Sequence, residues 1–293
     1  KPDADLKQLW FIGGHSNVGG GFPQTGLSDI ALKWMIEEAG SRRTEPKLNL
    51  AFQAKMLAQL EPDFQDYMMT SVKGMWSHLQ SRPRNVPLVS RSNADEFHAS
   101  VLDRSEKPPI NDAPYHPKTL TLATNTSSSP IPIYAVQKWN NTNYYLEKDA
   151  TYELRAEGEW LDSSIRCGPA GPLGSERFNP RKLVYVGARV SGWIESAIKF
   201  ATGNDEADFP LSRRYEHAKF FCLVGVITND GLGAQSNPAH DGSPSPHQHI
   251  KIGRGPVAIT VTKPGYLYCF ANDTWRTYGN NRGHVHLTIS RKD

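Results

Sequence analysis

The sequence predicts an α+β chain, a mainly helical segment followed by an all-β sandwich. Three observations carry that prediction. The 293 residues leave room for about two domains at ~150 residues each. Apolar residues recur at helical spacing in the first part and in short runs of strand type in the second. Between the two lies the stretch 123–132 (ATNTSSSPIP), small, polar and proline-terminated, which reads as a linker. The predicted domains are therefore 1–122 and 131–293.

Taken in order, residues 9–14 form a short apolar run ending in glycines, a strand entering a tight loop. Ser28 then reads as the cap of a helix with Ile30, Ala31, Trp34, Met35 and Ala39 at helical spacing, and Gly40 stands where a terminating glycine belongs. Residues 48–60 and 63–79 predict a second and a third helix, and the proline-studded stretch 81–117 predicts mostly loop. Beyond the linker, strands are expected at 131–136, 143–146, 150–160, 182–190, 220–228, 247–252, 257–262, 266–271 and 284–289, with one helix at 194–201. Short strands punctuated by Gly, Pro and Asn argue for a β-sandwich.

Composition removes several function classes. Lys and Arg number 33 and Asp and Glu 30, a net charge of +3, too small to argue for nucleic acid or an anionic membrane. With 38% hydrophobic and 10% aromatic residues there is enough to bury cores. The longest apolar run, 220–227, falls far short of the ~20 residues of a membrane span, so a soluble chain is expected. The chain opens on Lys1 with no signal segment after it, which predicts a processed or truncated product. Three cysteines do not suit a disulfide scaffold or a Cys-rich zinc site. A Cys222–Cys269 bridge and two buried free thiols are the alternatives, and the thiols are favoured.

The most informative segment runs from Asn272 to Gly283. Asp273, Thr277, Asn280 and Asn281 place a carboxylate, a hydroxyl and two amide oxygens within nine residues. These are hard oxygen donors of the kind that Ca²⁺ takes, and glycines at 279 and 283 let the loop curl so that they can converge. No Cys or His interrupts the loop, which disfavours zinc. An Asn/Gly-rich hairpin satisfying its own backbone is the alternative. The pattern Asp273, Thr277 and Tyr278-Gly279-Asn280-Asn281-Arg282-Gly283 resembles the bacterial PA-I galactophilic lectins, and so does Trp160 followed by Gly168-Pro169-Ala170-Gly171. The likeness spans about 131–293. It implies a lectin-like β-sandwich that binds glycans, galactosides foremost, through a Ca²⁺ held by Asp273, Thr277, Asn280 and Asn281. It further implies a main-chain carbonyl ligand near Asp162 or Ser163, and hydroxyl contacts from Asp273, Thr277 and Asn280. Trp275, inside the loop, is the candidate for ligand or rim contact; Trp139 could equally stack on a sugar or pack in the core.

Near the other end, Gly13-Gly14-His15-Ser16-Asn17-Val18-Gly19-Gly20-Gly21 offers a histidine on a glycine-rich loop, a place suited to a general base. Neither the Walker nor the dinucleotide spacing is present. The run Trp10 to Phe22, with Phe97-His98-Ala99-Ser100-Val101 and Tyr115-His116-Pro117, resembles the later part of the α/β-hydrolase domain of type VI secretion phospholipase effectors. That likeness implies a helical remnant of a hydrolase over about 1–120, with His15 as the base of a serine hydrolase. Two departures weigh against activity. Asn17 replaces the motif's Asp, and no Gly-x-Ser-x-Gly occurs in residues 1–293, so His15 has no nucleophile of that type to activate. A hydrolase fragment that the lectin part targets to glycans is thus the second functional expectation. Self-association and association with a separate hydrolase fragment stay open, as does an extracellular location. The pairs His247/His249 and His284/His286 read as surface strand residues rather than zinc ligands.

Overall fold

The computed structural model describes residues 7–40, 50–69, 81, 83–109, 119–173, 213–229 and 247–293. Among them, α-helix lies before residue 107 and the strand ladders beyond residue 130. The chain divides into two units, one from 1–79 with 87–119, the other from 80–86 with 120–293.

In the first unit the helices are α1 (His15–Gly19), α2 (Gly26–Gly40), α3 (Ala54–Leu57) and α4 (Ala99–Glu106). Helix α2 starts earlier than its sequence suggests. Asp29 N donates to Thr25 O at 2.8 Å and Ser28 Oγ to the same carbonyl at 3.0 Å, so Ser28 lies inside the first turn and is not the cap. A distant residue helps instead, because Gly26 N donates to Asp66 Oδ2 at 2.9 Å. Ile12, Leu27 and Ile30 pack with Phe11, Phe64, Met68 and Val101 as the unit's core.

Other expectations in this unit fail for tertiary reasons. Of residues 50–60 only α3 is helical, and none of its side chains is buried, so no packed face extends it. Residues 64–66 form a turn within otherwise irregular chain from 63 to 69, and 70–79 lie outside the described residues. The strand expected at 9–14 reduces to one parallel bridge between Trp10 and Phe97. Within the expected loop 81–117, Arg91–Glu96 is 3₁₀ and α4 is a true helix, capped by the His98 side chain accepting from Ser100 N. Burial of Leu102 holds that helix, a long-range effect that polar local composition conceals.

The second unit contains β1 (Ile131–Tyr134), β2 (Asn140–Leu146), β3 (Thr151–Asp162), β4 (Ile165–Gly168), β5 (Gly171–Pro172), β6 (Leu223–Asn229), β7 (Gln248–Lys251), β8 (Val257–Thr260), β9 (Gly265–Ala271) and β10 (Asn281–Arg291). The pairings between these strands are antiparallel, and the isolated bridge from Leu120 to Tyr144 is parallel. One sheet runs β1-β10-β3-β4-β5, with β8 also on β3; the other runs β2-β9-β6-β7. Leu154, Trp160 and Leu287 from the first sheet share one core with Leu223, Ile227 and Leu267 from the second, which makes a sandwich. The strand at 182–190 and the helix at 194–201 fall outside the described residues. The short strands β4 and β5 were not foreseen.

Strand β6 is buried throughout, which is why it reads as an unbroken apolar run. Its outer residues Val224 and Val226 join Cys222, Ala218 and Phe270 in a second cluster, with Trp139 and Tyr215 against it. Cys222 thus lies in the outer cluster and Cys269 in the inner core, and Cys167, Cys222 and Cys269 are all free and buried. Burial pushes all three thiols above their ordinary range.

Candidate functional site

The loop leaving β9 is anchored from outside before it reaches its chemistry. Asn272, fully buried, donates from Nδ2 to the carbonyls of Tyr215, Ala218 and Lys219 and accepts from Tyr215 N at 2.9 Å. Arg214 N reaches Asp273 O at 3.4 Å, and Thr274 bridges Arg213. The Arg214 guanidinium sits 3.6 Å from the Phe270 ring centre, 4.1 Å from Trp139 and 4.9 Å from Trp275, and donates to the Tyr278 hydroxyl at 2.7 Å. That hydroxyl donates in turn to Ala271 O, so one cation ties both ends of the loop together.

Within this frame Asp273 Oδ1 accepts from Thr274 N at 2.7 Å and Oδ2 from Asn281 Nδ2 at 3.0 Å. The Thr277 hydroxyl lies 2.7 Å from that of Thr274 and donates to Thr274 O at 3.1 Å. Asn280 turns to β3, donating from Nδ2 to Asp162 Oδ1 at 3.1 Å, while Ser163 N donates to Asn280 O at 3.2 Å. The structure therefore brings Asp273 and Asn281 into direct contact, links Thr277 to them through Thr274 and joins Asn280 to the end of β3. Burial holds the Asp273 carboxyl above its usual range; the bonds from Asn281 and Thr274 oppose this, and the charge of Asp162 adds to it.

These residues fit a hard cation. Asn281 is 3% exposed, and its Oδ1 is buried with no hydrogen-bond partner, next to the buried Asp273 carboxylate. The donors are carboxylate, hydroxyl and amide oxygens, the set that Ca²⁺ takes. Among the described residues no three His, Cys, Asp or Glu side chains form a metal group.

Trp275 lies inside the packed frame of the loop. It is 6% exposed, with Lys138 4.6 Å and Arg214 4.9 Å from its ring centre, so the indole packs among cations and offers no open face for stacking. Trp139 joins the same cage, its Nε1 donating to Ser81 O at 2.9 Å. Sequence reasoning missed the Asp162 side chain and Arg214. Nothing local marks either one, since each acquires its role only through β3–β10 pairing or the packing of 213–218 on the outer sheet.

In the first unit His15 is exposed at the start of α1, and no described residue hydrogen-bonds its ring. Asn17 is buried and accepts from Gly14 N at 2.9 Å, with Gly13 at φ 94° beneath it. A Cβ on Gly13 would come 2.5 Å from the Asn17 Cβ, so the motif's glycine and asparagine shape the turn. Nearby in sequence to α4, His98 Nδ1 lies 2.9 Å from Ser100 Oγ, with the ring stacked on Phe11 at 5.0 Å. Burial lowers the His98 pKa, which favours the neutral imidazole, while the charges of Glu37 and Asp103 work the other way.

Residues 1–38 match the family model described as T6SS, Phospholipase effector Tle1-like, catalytic domain. No curated protein matches the chain. Among solved structures, one described as EclA N-terminal domain, PllA-like lectin, matches with 14% identity, covering 57% of this chain and 95% of its own, at a TM-score of 0.31. The hydrolase likeness thus has a family match at one end of the chain, and a lectin stands among the structural neighbours.

Proposed function

We propose that the second unit is a calcium-dependent carbohydrate-binding module, with galactosides as its leading ligand class. The observation that carries this reading is the pair of buried residues Asp273 and Asn281 beside half-buried Thr277 and exposed Asn280, with the Asn281 amide oxygen left without a donor. Asp273 supplies charge, and the Thr277 and Asn oxygens complete a hard-donor set. A bound Ca²⁺ would supply a strong electrostatic contact for vicinal sugar hydroxyls. Around it, the Asp273 carboxylate and the Asn280 amide would accept from and donate to those hydroxyls. Rigidity helps: the Arg214 cage and the Asn272 anchor fix the loop before ligand arrives, which limits the ordering cost of binding.

A second reading rests on the family match over residues 1–38: the module would accompany a phospholipase-type hydrolase and direct it to glycosylated surfaces. On this reading His15 is the general base, and the catalytic nucleophile must come from outside 1–293, which lack the Gly-x-Ser-x-Gly elbow.

The two readings separate in one experiment. Asp273→Ala should weaken Ca²⁺ and galactoside binding by more than ~100-fold in calorimetry, while His15→Ala leaves both intact. Protein stripped with chelator should lose glycan-array signal and regain it with Ca²⁺. Absence of Ca²⁺ binding at ~1 mM in the stripped wild type would sink the calcium reading.

A further inference from the structure

We propose that the Asp162 carboxylate is a second anionic ligand of this centre, so that two carboxylates, Asp162 and Asp273, face a bound Ca²⁺. The inference rests on the calcium reading above and goes beyond a main-chain carbonyl contribution near Asp162 or Ser163. Its first support is register. Strand β3 ends at Asp162, and the β3–β10 ladder sets Asp162 opposite Asn281. Directly opposed residues point their side chains to the same face, with Cβ atoms ~4.5–5.5 Å apart. Asn281 is the residue whose Nδ2 holds Asp273 Oδ2 at 3.0 Å, so one amide stands beside both acids.

The neighbouring amide closes the arrangement, since Asn280 Nδ2 lies 3.1 Å from Asp162 Oδ1. Asp162 is itself only 9% exposed although it ends a strand. An independent observation points to a ligand. Asn281 Oδ1, 97% buried by residue, has no donor in a place already rich in acceptors. Acceptors cannot satisfy one another; a cation satisfies all of them at once. Because ligand charge count tunes Ca²⁺ affinity, the second carboxylate should strengthen binding. It also means that the metal-free centre holds two buried like charges, which repel.

The test uses the full chain stripped with chelator, as wild type, Asp162→Asn and Asp273→Asn. Substitution by Asn keeps the main-chain carbonyl and the side-chain shape and removes only the charge. Asp162→Asn should lower Ca²⁺ affinity about tenfold or more and shrink the Ca²⁺-induced rise in Tm, without lowering the Tm of the metal-free protein. A purely structural role for Asp162 would instead lower the metal-free Tm. A second measurement needs no variant: the Eu³⁺ excitation line of the loaded wild type shifts with the number of anionic ligands and should report two carboxylates. Ca²⁺ affinity within about twofold of wild type in Asp162→Asn, or a one-carboxylate Eu³⁺ line, overturns the proposal. Loss of binding in Asp273→Asn alone would then leave the calcium reading standing. A wild type that binds no Ca²⁺ overturns both.

Discussion

His249 shows what placement does to a single side chain. Its ring stacks on Tyr215 at 5.5 Å, with interplanar angle 7°, and it sits among Val226 opposite, His247 two residues before and the Arg214 cation. The residue keeps an exposed edge; desolvation of the packed ring and the Arg214 charge lower its pKa, while a backbone contact from His247 works the other way. The unfolded chain therefore takes up the proton first, near the ordinary value of ~6.5. Stability is whole above that pH and falls as pH drops toward the folded-state pKa. Denaturant melts at about pH 7.5 and about pH 5.5 should show this loss, and His249→Gln should reduce the slope between them; an unchanged slope would show that other groups carry it. In the sequence the His247/His249 pair read as surface strand residues, and His249 does stay exposed on β7. What the residues alone could not show is that Tyr215 stacks on its ring.

Strands were the most legible elements, and their edges the least. The cores of β1, β3, β6, β8 and β9 match the expected runs, because half-buried strands alternate and the buried β6 reads as continuous apolar chain. Strand β10 begins three residues before its expected start, at Asn281, since pairing with Asp162 extends it into the polar loop. Helix α4 was hidden for the opposite reason: a histidine cap and one buried leucine do not make a periodic pattern. Element packing also fixes which glycines are irreplaceable. At Gly265 in β9 a Cβ would come 1.5 Å from Thr228 O on β6. Gly265→Ala should therefore destabilise the sandwich by on the order of 3 kcal/mol or more, measured by equilibrium unfolding. Gly279, whose Cβ would meet nothing within 4 Å, is the contrasting control, with Gly279→Ala expected within ~0.5 kcal/mol.

At the scale of the molecule, the two units make separable predictions. Ca²⁺ should raise the Tm of the chain by mass action on the folded sandwich, and Asp273→Ala should abolish that rise in scanning calorimetry. Ester and phospholipid turnover by the purified chain should stay at background, because an exposed His15 without a nucleophile offers no covalent route. Turnover on the order of 1–10³ per second that His15→Ala removes would show that reading wrong and would direct attention to Ser16 or Ser28. No helix among the described residues is long and apolar enough to cross a membrane. The sequence by itself determined the α+β class, the strand runs and the donor types of the loop from Asp273 to Asn281, because these depend on periodicity and on side-chain chemistry along one stretch of chain. Only the tertiary structure decided that Asp162 faces this loop, that Arg214 clamps it and that Trp275 is shut inside, because each depends on residues about 60 to 120 positions apart meeting across a ladder or a packed sheet face.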